Sequence, residues 1–177
     1  MLKKILIGIV VLIGAILAYA ATKPDTFHVE RSANIKAPPE KIFVYMNDFQ
    51  KASAWVPYEK KDPAMKRRFS GAPSGKGSVY EFDGNNEIGA GRIEIVDSIP
   101  PNKVTLKLDM RKPFEASNTV EYRLEPKGDA TQVTWAMQGA MPFPAKVMSI
   151  FIDCDKMVGK DFEAGLASLK TLVESQS

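Results

Sequence analysis

The chain has 177 residues, of which 45% are hydrophobic and 25% charged, with 24 Lys and Arg against 21 Asp and Glu. This composition is typical of a globular domain with an appendage and excludes a disordered or collagen-like chain. The single cysteine, Cys154, excludes an internal disulfide and a multi-cysteine zinc site. The single histidine, His28, excludes a His-rich metal centre and disfavours a Ser-His-Asp triad. Basic and acidic residues are interleaved along the chain, so no nucleic-acid partner is expected.

The first segment is apolar. Lys3 and Lys4 precede an uncharged run over residues 5–21, and Lys23 follows it. As a helix this run is about 25 Å long, slightly short of the ~30 Å hydrocarbon core, and snorkelling lysines could cover the difference. The pattern predicts a membrane anchor over residues 1–22 and a linker over residues 23–26. The alternative is a signal peptide cleaved after Ala20, because residues 18–20 read Ala-Tyr-Ala.

Both interpretations give the rest of the chain the same location. The amino-terminal lysines stay on the cytoplasmic side of the membrane, so the following domain is exported. An uncleaved chain is a single-pass membrane protein with its domain on the periplasmic or extracellular side, and a cleaved chain is periplasmic or secreted.

The exported domain begins with alternating residues. Apolar and polar side chains alternate from Phe27 to Ile35, which predicts a half-buried strand with His28 facing water. Pro38 and Pro39 begin a short helix, a second short helix or loop follows Asp48, and prolines and glycines interrupt residues 56–77. Further strands are predicted over residues 78–83, 88–99, 104–110, 120–125 and 133–138, with a bulge or bend near Gly89 and Gly91. Short connections favour an antiparallel sheet.

The last segment has a helical period. Apolar residues recur every three or four positions from Val147 to Val173, which predicts one amphipathic helix of about 30 residues over 145–174. The sheet must bury its apolar face, and this is the one predicted helix of the exported domain long enough to cover it. The fold class is therefore α+β. A curved sheet closed by one helix leaves a space between them that a small molecule can occupy.

Several stretches carry a family resemblance: residues 37–43, 48–49, 55–65, 69–85 and 89–91. On these residues the region 27–174 resembles the START-like (SRPBCC) superfamily of helix-grip, lipid-transfer domains, and within it the polyketide cyclase/dehydrase and lipid-transport group. The chain departs from that group at Val56, where a second aromatic is usual, and at Phe82, where Trp is common. The resemblance implies a curved antiparallel sheet wrapped around a long C-terminal helix, with a cavity for an apolar ligand. It does not imply catalysis.

The candidate ligand contacts are Trp55, Tyr58, Asp62, Tyr80, Phe82, Asn85, Trp135 and Cys154. The aromatic residues either line a pocket or fill a core. Asp62 and Asn85 either orient a ligand or act as turn formers that bond their own backbone. Cys154 lies on the apolar stripe of the predicted terminal helix, where a free thiol behaves as a small hydrophobe and can line the cavity.

Three hypotheses follow. The first is a membrane-tethered or exported domain that binds a lipid, quinone or polyketide-like molecule, without a catalytic residue. The second is a cyclase or dehydratase in which Glu59, Asp62 or Tyr80 performs acid–base chemistry. The third is an envelope scaffold whose interior is filled by its own side chains. No cofactor or metal is expected, because residues 71–78, 84–91 and 153–155 lack the spacing of phosphate, dinucleotide and calcium loops.

Overall fold

A computed structural model describes residues 2–176. The elements are α1 (Leu2–Ala21), β1 (Thr26–Ile35), α2 (Pro39–Met46), α3 (Phe49–Ala52), α4 (Tyr58–Lys61), β2 (Lys66–Gly71), β3 (Ser78–Asp83), β4 (Ala90–Ile99), β5 (Lys103–Lys112), β6 (Ala116–Lys127), β7 (Ala130–Ala140), α5 (Phe143–Met148) and α6 (Cys154–Glu174). The strands form one seven-stranded sheet of order β1-β7-β6-β5-β4-β3-β2. All neighbouring strands are antiparallel.

The alternation along the strands separates a wet face from a core face. In β1, Val29 and Ile35 are buried while His28 is exposed, as the sequence predicts. The pairing of β4 with β5 shifts register twice, and one shift falls between Ala90 and Gly91, where a bulge is predicted. Such bulges increase the local twist and bend of a sheet.

Helix α6 packs against the core face. Its buried side chains include Phe162, Leu166 and Leu169. The ring of Phe162 stacks on Trp135 of β7, with centroids 4.1 Å apart and an angle of 12° between the planes. This is the helix-grip α+β fold that the sequence predicts.

An arginine in β1 contacts α6 from the side. Arg31 shares the inward register of β1, and its Nε donates to Glu163 at 2.7 Å while Nη2 donates to Asp155 at 2.9 Å. Both carboxylates lie on α6, and the guanidinium crosses the helix at Gly159, where a Cβ would overlap Nη2. The small residue therefore lets the ion pairs form across the helix.

The prediction of one terminal helix of about 30 residues is wrong. Residues 149–153 separate α5 from α6. The side chain of Asp153 accepts from the backbone N–H of Lys156 at 3.1 Å and so caps a new helix. Phe151, assigned to the buried stripe, is 71% exposed. The spacing of apolar residues predicts which of them share a helix face, but it does not show whether the sheet lies close enough to bury that face.

The interrupted region 56–77 contains two elements that the sequence analysis did not assign. One is the short helix α4, and the other is the strand β2, which pairs with β3 at the sheet edge. Every residue of β2 is exposed, and its sequence has no alternation of apolar and polar residues. The strand therefore forms because its backbone pairs with β3, and its own sequence does not predict it.

Helix α1 precedes the domain. Its mean hydropathy and length are sufficient to cross a membrane, as they also are in many signal sequences. Apart from Ala20, whose side chain is buried, the helix is largely exposed, and it contacts α5. Thr26, at the start of β1, pairs with Ala140, at the end of β7. The end of α1 and the start of α5 therefore lie at the same end of the sheet.

Candidate ligand-binding cavity

A cavity of about 310 Å³ lies between the core face of the sheet and a layer formed by α2, α3, α4 and α6. The sheet contributes Tyr80, Phe82, Leu106, Leu108, Tyr122 and Trp135 to its wall. The helices and their connections contribute Phe49, Ala52, Tyr58, Val158 and Phe162. The antiparallel register explains the sheet wall, because directly paired residues of neighbouring strands share a face. Tyr122 lies opposite Trp135 in this way, and Leu106 lies opposite Val120.

Aromatic contacts hold one side of the cavity. Tyr80 lies between Phe69 and Phe49, with ring centroids 5.1 and 5.9 Å away respectively. Phe82 is 5.9 Å from Tyr80 on the same strand. Phe49 and Phe69 therefore flank Tyr80, which in turn meets Phe82, and Phe49, Tyr80 and Phe82 form an apolar part of the wall.

Trp55 packs behind the part of the cavity wall that Tyr122 and Trp135 form. Trp55 is fully buried, and its indole Nε1 donates to the carbonyl of Tyr45 at 3.0 Å. Its ring meets Trp135 and Tyr122 edge-on, at 5.3 and 5.8 Å between centroids. Trp55 thus fixes two wall residues without lining the cavity itself.

The charged group in the wall is Glu59 of α4. Its carboxylate accepts from the Tyr80 hydroxyl at 2.7 Å and from Arg67 Nε at 2.6 Å. Burial raises the pKa of Tyr80, and the neighbouring Glu59 raises it further. The phenol is therefore a neutral donor, and the carboxylate is already paired with a cation.

Four other polar side chains in the wall behave differently. Within residues 2–176, the Tyr58 and Tyr122 hydroxyls and the Asn118 amide form no hydrogen bond. The Trp135 Nε1 is buried and also has no partner. Burial raises the pKa of the Tyr58 hydroxyl, and the nearby Asp161 raises it further. Burial also raises the pKa of the Tyr122 hydroxyl, to which Tyr58 adds. Both phenols are therefore protonated at neutral pH.

Four of the predicted contact residues lie in the cavity wall, namely Tyr58, Tyr80, Phe82 and Trp135. The structure does not bring the other four to it. Trp55 lies behind the wall. Asp62 accepts from the backbone N–H of Asn85 at 2.7 Å, while the Asn85 side chain accepts from the N–H groups of residues 87 and 88. Asp62 also accepts from the backbone N–H of Ala64 at 3.2 Å. The bonds from residues 64, 87 and 88 are the local bonds of turn formers, whereas the bond from Asn85 to Asp62 links two segments 23 residues apart. Cys154 is the first residue of α6 and lies outside the wall.

Sequence reasoning missed several wall residues, including Asn118, Tyr122, Val158 and Phe162. Tyr122 and Phe162 were visible as parts of an alternating strand and of a helical stripe. Their approach to Trp135 depends on strand register and on where α6 crosses the sheet, which no local pattern encodes. Among residues 2–176, no group of three or more His, Cys, Asp and Glu side chains could hold a metal ion.

Comparisons with known proteins agree with this architecture. The sequence model of a family described as polyketide cyclase/dehydrase and lipid transport matches residues 26–174. A search of curated protein sequences found no significant match.

Several solved structures share the fold. A protein from Chromobacterium violaceum is similar at a TM-score of 0.59 and 15% identity, over 86% of this chain and 99% of that one. DynU16, from the dynemicin biosynthetic locus, is similar at a TM-score of 0.60 and 14% sequence identity, over 88% of this chain and 49% of that one. Ara h 8.0201 is similar at a TM-score of 0.57 and 14% sequence identity, over 85% of this chain and 99% of that one. At these identities the likeness concerns the fold.

Proposed function

Because the chain belongs to the polyketide cyclase/dehydrase and lipid-transport family, we propose that its domain binds a hydrophobic small molecule such as a lipid, a quinone or a polyketide-like compound. The observation that carries this proposal is the cavity of about 310 Å³ with its mainly apolar wall. Pockets for small ligands range from roughly 300 to 1,000 Å³. Burial of apolar ligand surface contributes about 25 cal/mol per Å² to the free energy of binding. This contribution can retain a ligand in the cavity without any chemical step.

The ligand contacts of this proposal are the wall residues Tyr58, Tyr80, Phe82 and Trp135. The scaffold alternative requires an interior filled by the chain's own side chains, and the cavity argues against it. A filled interior would also be expected to supply an acceptor for the buried indole N–H of Trp135, which has no partner within residues 2–176.

We further propose that α1 tethers the domain to a membrane, with the domain on the exported side. The apolar surface does not end with α1. Met148, Phe151 and Ile152 follow at the same end of the fold, and each is more than two-fifths exposed. A tether would raise the effective concentration of the domain near a ligand carried by the bilayer. Alkaline extraction of host membranes and the mass of the mature chain test this proposal. A mature chain that begins after Ala20 and is released by alkali would refute the tether.

Filling the cavity tests the ligand-binding proposal. Val158 lies in the wall and is half-buried, so Val158→Phe places a ring in the cavity. Val44 of α2 is 42% exposed and lies outside the wall, so Val44→Phe is the matched control. The measurements are native mass spectrometry of the protein from its host and titration with a neutral lipophilic dye.

We expect Val158→Phe to weaken dye binding about tenfold, which corresponds to ~1.4 kcal/mol, and Val44→Phe to leave it unchanged. A wild-type protein that carries no lipophilic molecule and binds no dye would contradict the proposal. Equal affinities for the two variants would show that the dye binds elsewhere.

The contact between Glu59 and Tyr80 favours an enzyme as the second candidate. A carboxylate and a phenol 2.7 Å apart in a cavity wall can move a proton to or from a ketone substrate. Glu59→Gln and Tyr80→Phe should then abolish turnover of a poly-ketone while dye binding persists. Turnover that survives both substitutions would eliminate this candidate. The pairing of Glu59 with Arg67 makes it the weaker of the two proposals.

A further inference from the structure

The unpartnered donors of the cavity wall lie close together. Tyr122 of β6 is 6% exposed, and its ring meets that of Trp135, the directly opposite residue on β7, at 5.5 Å between centroids. Asn118 lies on β6 at the same parity as Tyr122, so both face the cavity side of the sheet. Tyr58 of α4 lines the same cavity from the helical side. Three elements, α4, β6 and β7, thus bring these donors to one cavity wall.

Such donors are costly without an acceptor. Roughly 90% or more of buried polar groups in native proteins have a hydrogen-bond partner, because a buried donor without one has lost its bonds to water and gained none in return. The indole N–H of Trp135 is buried and has no hydrogen-bond partner within residues 2–176. The hydroxyls of Tyr58 and Tyr122 and the amide of Asn118 form no hydrogen bond within the same residues and line the cavity, so a ligand that fills the cavity would take water from them. A ligand that carries an acceptor would satisfy donors that the rest of the domain leaves unpaired.

The charges of the wall restrict the ligand further. Among the wall residues of the described chain, Glu59 is the one charged side chain, and Arg67 already pairs with it. The wall therefore offers no cation to a ligand carboxylate or phosphate, and Glu59 would repel either group. Burying an unpaired charge is far more costly than burying a neutral polar group.

We propose that the cavity takes an uncharged amphiphile whose carbonyl or hydroxyl oxygen accepts hydrogen bonds from Tyr58 and Tyr122, while its hydrocarbon part lies against Phe82, Leu106 and Leu108. Fatty-acid and phosphate anions are excluded. This inference rests on the proposed function and specifies the ligand class of the same cavity.

The test compares three probes of equal chain length: 2-decanone, decane and decanoate. Each displaces a neutral lipophilic dye from the full chain in lipid nanodiscs, with empty nanodiscs as the blank. Relative to decane, we expect 2-decanone to bind roughly 3- to 10-fold more tightly, the gain of one net hydrogen bond. We expect decanoate to bind at least about tenfold more weakly than 2-decanone.

Tyr122→Phe should reduce the ratio of 2-decanone affinity to decane affinity, because it removes one of the two proposed donors. Tyr58→Phe is the second variant if Tyr122→Phe does not fold. Tyr45→Phe is the matched control, because the Tyr45 hydroxyl donates to Gln176 at 2.8 Å, outside the cavity. Equal binding of the ketone and the alkane, or tight binding of decanoate, would overturn the ligand class and leave the proposed function intact. Failure of the dye and all three probes to bind would overturn both.

Discussion

Two glycines of α6 face different neighbours, and replacement by alanine should destabilise the fold at one of them but not at the other. A Cβ at Gly165 would lie 2.7 Å from Cζ3 of Trp135 and 3.2 Å from Cδ of Pro57. Trp135 has little freedom to yield, because it stacks on Phe162 at 4.1 Å and meets Trp55 at 5.3 Å. Overpacking a core costs about 1–3 kcal/mol, and the gain in helix propensity returns up to ~1 kcal/mol. We therefore expect Gly165→Ala to destabilise the fold by about 1 kcal/mol.

Gly159→Ala is the internal control. Its Cβ would meet the guanidinium of Arg31, the far end of a flexible side chain that can move away. The partners of Arg31 are exposed carboxylates, and exposed ion pairs contribute little to stability. The gain in helix propensity should then dominate, so Gly159→Ala should be neutral or stabilising.

Urea unfolding in detergent micelles measures both variants. The two tryptophans of the chain, Trp55 and Trp135, are both in the core, so their fluorescence reports its unfolding. Trp135 also lines the cavity, and a ring displaced by Gly165→Ala should weaken dye binding as well. An unfolding midpoint for Gly165→Ala equal to or above that of Gly159→Ala would refute the packing argument.

Three further variants probe single interactions. The Thr131 hydroxyl donates to the carbonyl of Ala37 at 2.7 Å in the core. Thr131→Val leaves this carbonyl without that donor, and we expect the free energy of unfolding, measured by thermal unfolding, to fall by about 1–3 kcal/mol. The Ser117 hydroxyl lowers the pKa of Asp109 below its ordinary 3.8. This depressed pKa stabilises the fold above about pH 4 and the effect is lost as the pH falls through the folded-state value. Ser117→Ala should therefore raise the Asp109 pKa in an NMR titration and move acid unfolding to higher pH. Asp48→Ala removes the cap of α3, which should cost about 1 kcal/mol and weaken dye binding, because α3 carries part of the cavity wall.

Some features of the fold were predictable because they are local. The parity of β1 separates buried Val29 from exposed His28, since successive strand residues point to opposite faces. The stripe from Phe162 to Val173 likewise predicts the buried face of α6. The turn-forming alternative for Asp62 and Asn85 was available from their residue types alone.

Other features depend on partners distant in the chain. Strand β2 has no buried residue, so its formation depends on β3. The apolar spacing through residues 147–158 continues across the break between α5 and α6, because an exposed Phe151 and a buried Phe162 look alike in a sequence.

The amino-acid sequence by itself determined an apolar leading helix, an antiparallel sheet and a terminal amphipathic helix, because each follows from the period of neighbouring residues. The tertiary structure alone decided which aromatic residues pack solidly and which face a cavity. Trp55 and Trp135 are both buried, yet of the two only Trp135 lines the space. Trp135 faces the cavity because of the register of β7 and its packing against α6, whereas Trp55 lies behind it in the connection between α3 and α4. These positions depend on contacts between residues far apart in the chain, which no local pattern encodes.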